Sequence, residues 1–175
     1  MPYFNIVAET SENTVVTEYE PVKKRSDSYQ SEAALEQEFI RLLCEQGYEY
    51  LPIHTEKDLI ANLRKKLEEL NNYQFSDTEW DDFFKNAVAN PNEHIVEKTR
   101  KMQEDNVQVL TRDDGSSKNI TLIDKKNIHN NRLQVINQYV IGTENGAKHD
   151  NRYDVTVLVN GLPLVHIELK RRGVA

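Results

Sequence analysis

The residues best suited to chemistry stand at the outer ends of two neighbouring apolar runs. Asp154 opens the first run, and Glu168 and Lys170 close the second. Asn160-Gly161 lies between the runs, and this dipeptide is the strongest short-range signal for a β-hairpin. Folding the hairpin brings its outer ends together, so we predict one acid facing an acid-x-lysine triplet across adjacent strands. The two runs are Tyr153–Val159 and Leu162–Leu169.

Such a pair of strand ends could bind a metal ion and activate water. The carboxylates of Asp154 and Glu168, with the backbone carbonyl of Leu169, would offer hard oxygens suited to Mg²⁺. The ion would polarise a phosphate oxygen and lower the pKa of a bound water. Lys170 would orient that water and stabilise the charge that develops on the phosphate. The residues therefore indicate phosphodiester hydrolysis, and the alternative is a plain Lys–Glu ion pair on a sheet face.

The register of the hairpin decides whether these groups meet. Strand side chains alternate between faces, which predicts a polar face and a face that packs into the core. A two-residue turn with a regular ladder would pair Asp154 with Ile167 and turn the acid away from Glu168. The site therefore requires a three-residue loop or a β-bulge. The predicted polar face holds His166 (a neighbour of the site rather than a ligand), Glu168 and Lys170, and the predicted core face holds Val165, Ile167 and Leu169.

A helix upstream could supply a fourth acid. Ser31 is a suitable N-cap, Gly47 ends the element, and the apolar residues between them recur at helical spacing. Glu36 falls beside the apolar face, where a carboxylate needs a partner. A role in the site is favoured for Glu36, and the alternative is an acid stabilised by the helix dipole, which also suits Glu32 in the first turn.

The rest of the chain predicts an α/β or α+β domain around a mixed sheet. After an N-terminal arm, in which Val15, Val16 and Tyr19 suit a strand, the order is one helix, a short strand, three helices and about five strands. The loop Gly142–Asp150 is polar and is mobile or held by a partner. Basic residues that could contact DNA phosphates are Lys170, Arg171 and Arg172 on the hairpin and Lys125 and Lys126 in a turn, where solvated turn residues are the alternative.

Composition narrows the class of protein. The chain has 175 residues, 29% of them charged, and a formal net charge of -7, which disfavours a nucleic-acid binder held by bulk charge alone. Its single cysteine, Cys44, suits a reducing cytoplasm. No apolar run approaches the length of a membrane span, so we expect a cytoplasmic protein without membrane contact.

Three stretches resemble the N-terminal nuclease domain of the restriction subunit of type I restriction-modification enzymes. They are RYDVTVLVNGLPLVHIELKRRGVA, DSYQSEAALEQEFIRLLCEQGYEY and LIDKKNIHNNRLQVINQYVIG. The resemblance implies a PD-(D/E)xK nuclease fold and Mg²⁺-dependent cleavage of double-stranded DNA. It places the motif acids on Asp154 and Glu168 and the motif lysine on Lys170, with Glu36 as the glutamate that many members add. The proline that usually precedes the motif aspartate is Tyr153 here.

The resemblance also implies partners and missing parts. Its partners are double-stranded DNA and the methyltransferase (modification) and specificity subunits. The family's ATP-driven translocase follows this domain, but the chain has no G-x-x-x-x-G-K-[ST] loop. We therefore expect a fragment with residues 1–26 as an arm and 27–175 as the nuclease domain, cut before a supporting helix and the ATP-binding motor. The competing hypothesis is a nuclease-like module that docks the motor or other subunits without cutting DNA.

Overall fold

The computed structural model describes residues 3–9, 15–20, 31–141 and 151–170. The chain divides into two compact units, Met1–Gln30 and Ser31–Ala175. In the first unit, strands β1 (Tyr3–Glu9) and β2 (Val15–Glu20) form an antiparallel pair. The strand predicted around Val15 is confirmed, whereas no pattern in the sequence predicts β1.

The second unit follows the predicted order of one helix, a short strand, three helices and five strands. The third helix continues into a π-helical turn, Phe84–Val88. The elements are α1 (Glu32–Glu45), β3 (Glu49–Tyr50), α2 (Glu56–Asn71), α3 (Asp77–Phe83), α4 (Ile95–Gln103), β4 (Val107–Thr111), β5 (Ser117–Thr121), β6 (Leu133–Ile141), β7 (Asn151–Val159) and β8 (Leu162–Ile167).

Polar caps determine where the first three helices begin. The side chains of Ser31, Thr55 and Ser76 each accept a hydrogen bond from the backbone N–H three residues later. These bonds satisfy amides that have no partner within the helix. The N-cap predicted at Ser31 is confirmed.

The central sheet has four strands in the order β3-β6-β7-β8. Strand β3 is parallel to β6, and the other neighbours are antiparallel, so the mixed sheet is confirmed. Strands β4 and β5 form a separate hairpin. Their buried residues Leu110 and Ile120 pack into the helical core instead of extending the sheet. The helices and the mixed sheet make an α/β fold of the restriction-endonuclease-like kind.

Two apolar clusters hold this unit together. The larger joins α2, α3, the β4–β5 hairpin and the start of β8, and in it Phe75 packs against the rings of Tyr73, Trp80 and Phe83 at centroid distances of 5.4, 5.4 and 5.7 Å. The smaller lies on the sheet and consists of Ile53, Ile136, Tyr139 and Leu158. Among the described residues, no helix has the length and apolar character to cross a membrane.

Candidate active site

The hairpin of β7 and β8 contains the irregularity that the chemistry requires. Val159 pairs with Leu162, so the turn has two residues, and Asn160 (φ 51°) and Gly161 (φ 83°) both adopt the left-handed conformation of a type I′ turn. The register then shifts by one residue, because Leu158 pairs with Pro163 and Val157 pairs with Val165. Leu164 is the extra residue of this bulge.

The bulge changes which residue stands opposite Asp154. After it, Val155 pairs with Ile167, the last residue of β8, so the same register continued by one residue sets Glu168 opposite Asp154. A regular ladder from the same turn would have placed Ile167 there. The prediction that the hairpin contains a longer loop or a bulge is confirmed, and the bulge is the device used.

The chain beyond β8 is held against Asp154. The backbone N–H of Leu169 donates a hydrogen bond of 2.7 Å to Oδ2 of Asp154. The ammonium of Lys170 lies 3.8 Å from Oε1 of Glu168, and these two side chains are 73% and 70% exposed. The structure therefore brings Asp154, Glu168 and Lys170 to one end of the hairpin. The backbone N–H of Leu169 thus binds the Asp154 carboxylate. Metal binding by the carbonyl of Leu169 stays a prediction.

Glu36 is a buried acid on α1 with partners on β6. Its Oε1 accepts a hydrogen bond of 2.6 Å from the side-chain amide of Asn137, and its Oε2 accepts one from the side-chain amide of Gln138. Asn137 also accepts a 2.9 Å hydrogen bond from the hydroxyl of Tyr50. Two amide donors offset the cost of removing a carboxylate from water. Glu36 thus has the polar partner that its position demanded, and its direct part in catalysis stays a prediction.

The β6–β7 ladder is interrupted beside this acid. Asn137 pairs with Val155 and Tyr139 pairs with Tyr153, but no bridge joins Gln138 and Asp154, which stand opposite each other between those pairs. Gln138 has a φ of 53°, in the left-handed region that few residues other than glycine adopt.

Side-chain alternation slips at the same place on both strands. On β6, Ile136 and Tyr139 lie in one apolar cluster although they are three residues apart. On β7, Thr156 and Tyr153 both contact His166, again at a spacing of three. A regular strand would place each of these pairs on opposite faces. The slip lets the adjacent side chains of Asn137 and Gln138 both reach the carboxylate of Glu36.

Asn137 and Gln138 are not among the site residues predicted from the sequence. The signal is the dipeptide Asn-Gln in the middle of the run VINQYVI, where two consecutive polar residues break an otherwise apolar strand. Polar neighbours within a central strand need partners on both of its faces or an irregular backbone. Here the backbone is irregular and Glu36 is the shared partner.

His166 packs against β7, and its place as a neighbour of the site rather than a ligand stays a prediction. Its ring stacks on Tyr153 with the centroids 4.1 Å apart, and its Nδ1 lies 3.0 Å from the hydroxyl of Thr156. Burial lowers the pKa of this imidazole. The prediction that Val165 packs into the core is wrong, because this side chain is 48% exposed on the outermost strand of the sheet, while Ile167 and Leu169 are half-buried.

The predicted DNA-contacting residues do not all lie together. Lys170 is at the site, whereas Arg171, Arg172 and the loop Gly142–Asp150 lie outside the described residues. Lys125 and Lys126 belong to a turn whose Asn131 accepts a 2.8 Å hydrogen bond from Asn160, at the opposite end of the hairpin from Asp154. Contacts between these lysines and DNA stay a prediction, and they would be made away from Asp154.

The residues present fit a magnesium ion at the open end of the hairpin. In the described part of the chain, the bond from Leu169 is the single hydrogen bond of the Asp154 carboxylate, and it leaves Oδ1 for a ligand. No group of three His, Cys, Asp or Glu side chains that could hold a metal occurs among residues 31–139 and 153–170. Mg²⁺ is commonly bound through one or two carboxylates and several waters, and Asp154 and Glu168 would supply two.

Known proteins resemble almost the whole chain. A family model described as the type I restriction enzyme R protein N terminus matches residues 29–175. The type I restriction enzyme EcoprrI endonuclease subunit of Escherichia coli is 48% identical over 170 residues, which are 97% of this chain and 53% of that subunit. The SsaAORF53P endonuclease subunit of Staphylococcus saprophyticus is 37% identical over 151 residues, which are 83% of this chain and 15% of the relative.

A third relative extends the same pattern. The SauMSSORF170P endonuclease subunit of Staphylococcus aureus is 38% identical over 152 residues, which are 84% of this chain and 15% of the relative. The chain thus spans about half the length of the Escherichia coli relative and a much smaller share of the staphylococcal ones. From the match of the family model and the identity to these endonuclease subunits, the chain belongs to the family of type I restriction enzyme R proteins, as their N-terminal domain.

Proposed function

We propose that this domain is a Mg²⁺-dependent endonuclease of the PD-(D/E)xK type that hydrolyses phosphodiester bonds in unmodified foreign DNA and so makes double-strand breaks. In the full subunit, cleavage is coupled to ATP-driven translocation, and the methyltransferase and specificity subunits direct it. One observation carries the proposal. The bulge at Leu164 pairs Ile167 with Val155, so the register continued by one residue sets Glu168, not Ile167, opposite Asp154.

The groups at the open end of the hairpin have separate tasks. Asp154 and Glu168 would hold the ion, and the N–H of Leu169 bonds the Asp154 carboxylate and so restrains its orientation. Bound Mg²⁺ supplies Lewis-acid polarisation of the phosphate and a bound water of lowered pKa. Lys170 extends into solvent, where its ammonium can orient the attacking water and meet the negative charge on the phosphate.

One cation beside the site supports contact with a DNA phosphate. Lys170 provides a cation beside the two acids, and contacts of this kind are salt-sensitive and carry no sequence information. Choice of sequence therefore belongs to another subunit, which agrees with a system of several subunits.

The test uses the full-length subunit assembled with its partner subunits. We expect Asp154→Asn and Lys170→Ala to lower DNA cleavage on the order of 10²- to 10³-fold, the cost of removing one charge-stabilising group, while ATP hydrolysis continues. Lys85→Ala is the matched control, because it removes an exposed lysine outside the candidate site, on the π-helical turn that packs into the larger apolar cluster.

Two outcomes would count against the proposal. Cleavage at the normal rate by Asp154→Asn would refute the assignment of the nuclease site. Normal cleavage together with weakened assembly of the subunits would instead indicate a nuclease-like docking module.

A further inference from the structure

The side chains of Tyr50, Glu36, Asn137 and Gln138 form a continuous hydrogen-bonded group, here called the amide clamp. The hydroxyl of Tyr50 donates to Asn137, and the amides of Asn137 and Gln138 donate to the two oxygens of Glu36. Glu36 is 9% exposed, so the clamp links the first helix to the middle of the sheet at a buried position.

The clamp holds a backbone conformation that is unfavourable by itself. A glutamine at a φ of 53° within a strand is strained, and such residues persist only where their surroundings impose the conformation. In the described part of the chain, the side chain of Gln138 makes its hydrogen bond to Glu36, and this bond can hold the backbone in that conformation. Strain of this kind concentrates at functional sites, because it places a neighbouring group where a regular strand would not.

The neighbouring group is Asp154. It is the residue opposite Gln138, it lacks a ladder bridge to β6, and side-chain alternation slips on its own strand at the same level. The irregular backbone of β6 therefore lies directly opposite Asp154. The carboxylate of Asp154 is in turn bonded to the N–H of Leu169, in the chain segment that bears Glu168 and Lys170.

We infer that the amide clamp positions Asp154, and that Glu36 acts in the cleavage reaction through Gln138 as a positioning residue. The inference rests on the proposed nuclease function. Both oxygens of Glu36 are engaged by amides, which is the arrangement of a group that orients its neighbours. Outer partners of this kind commonly change metal affinity or activity by roughly 10- to 100-fold when removed.

Two substitutions open the clamp in different ways. Glu36→Gln keeps the size of the side chain but replaces one accepting oxygen by a donor. Gln138→Gly keeps the left-handed backbone without strain and removes the amide. Glu38→Gln is the matched control, because it makes the same change on the exposed side of α1, where Glu38 pairs with Arg41.

The first measurement needs neither metal nor DNA. In the 175-residue chain, hydrogen exchange of the Leu169 amide, measured by NMR, reports the bond to Asp154. We expect exchange to be roughly tenfold faster or more in Glu36→Gln and Gln138→Gly, because local opening sets the protection of such an amide. Glu38→Gln should leave exchange unchanged, and the thermal midpoint of Gln138→Gly should not fall, which separates local positioning from general destabilisation. Unchanged exchange at Leu169 in both clamp variants would overturn the inference.

The second measurement is the cleavage rate and its Mg²⁺ dependence in the full subunit. Both clamp variants should lose roughly 10- to 100-fold in rate, and the double variant should be no worse than the single ones, since residues acting in one network are not additive. If Glu36 ligated the metal directly, Glu36→Gln would raise the Mg²⁺ requirement, Gln138→Gly would not, and the clamp inference would be wrong. Normal cleavage by Asp154→Asn would refute the nuclease function itself, while the Leu169 exchange would still decide the role of the clamp.

Discussion

Replacement of Gly161 by alanine tests whether the hairpin turn is seated on helix α2. A Cβ at this position would lie 2.6 Å from Cα and 3.0 Å from the backbone nitrogen of Leu63. Both neighbours are helix backbone, which cannot move aside as a flexible side chain can. Gly161 also has a φ of 83°, a conformation that strains any residue with a Cβ.

The two costs can be estimated separately. Left-handed backbone costs alanine roughly 1–2 kcal/mol, and overpacking a close contact costs about 1–3 kcal/mol. We therefore expect Gly161→Ala to lower the free energy of unfolding by about 2–5 kcal/mol. With a urea dependence of about 2 kcal/mol per molar, the unfolding midpoint should fall by roughly 1–2.5 M.

The single tryptophan provides the assay. Trp80 is 5% exposed and lies in the same apolar cluster as Leu63 and Leu162, so its fluorescence reports the core on which the turn rests. The signal follows the unit Ser31–Ala175 and is not a measure of the N-terminal strand pair.

Gly115 is the matched control. Its φ is 78°, close to that of Gly161, but nothing lies within 4 Å of the Cβ that alanine would add. Gly115→Ala should therefore show the backbone strain alone, about 1–2 kcal/mol. Equal losses for Gly161→Ala and Gly115→Ala would refute the argument that the turn packs against α2.

Two further predictions concern buried polar groups. Asn160→Gly keeps the left-handed turn but removes a side-chain amide that donates to the carbonyl of Leu122 at 3.0 Å and accepts from the N–H of Arg132 at 2.8 Å. Urea unfolding should show that the free energy of unfolding falls by about 2–4 kcal/mol. The hydrogen bond from the hydroxyl of Tyr73 lowers the pKa of Glu79 below its ordinary value of 4.5. Ionised Glu79 therefore stabilises the folded state fully above pH 4.5, and this contribution is lost as the pH falls through the lower pKa of the folded state. Glu79→Gln should flatten the acid side of the curve of unfolding free energy against pH. Tyr73→Phe should shift the pKa of Glu79 back towards 4.5, as measured by NMR titration. An unchanged acid slope in both variants would contradict the role given to the Tyr73–Glu79 hydrogen bond.

The hairpin shows what a local pattern can predict. The two apolar runs and Asn160-Gly161 predict the strands, and the strict alternation of strand side chains shows that one extra residue is needed before Glu168 can face Asp154. The position of that residue does not follow from the pattern. It lies at Leu164, next to Pro163, which donates no ladder bond.

Placement between distant elements was beyond the sequence pattern. The partners of Glu36 come from β6, about 100 residues later. They reach it because the backbone at Gln138 adopts a left-handed conformation, which interrupts the alternation of side chains. Lys125 and Lys126 are predicted to add positive charge near the site, but they lie away from Asp154. The hydrogen bond between Asn131 and Asn160 holds their turn at the opposite end of the hairpin. Alternation could not show either fact, since it describes each strand by itself.

The buried turn also decides where the domain accepts added sequence. Tight turns between strands are the usual places to insert an epitope or a fluorescent label, because their tips are exposed. The Asn160-Gly161 tip is buried, with Gly161 directly on the backbone of α2, so an insertion there would push the hairpin off the helix. The Asp114-Gly115 turn is exposed and has open space around it, which makes it the place to attach a label that leaves the candidate site undisturbed.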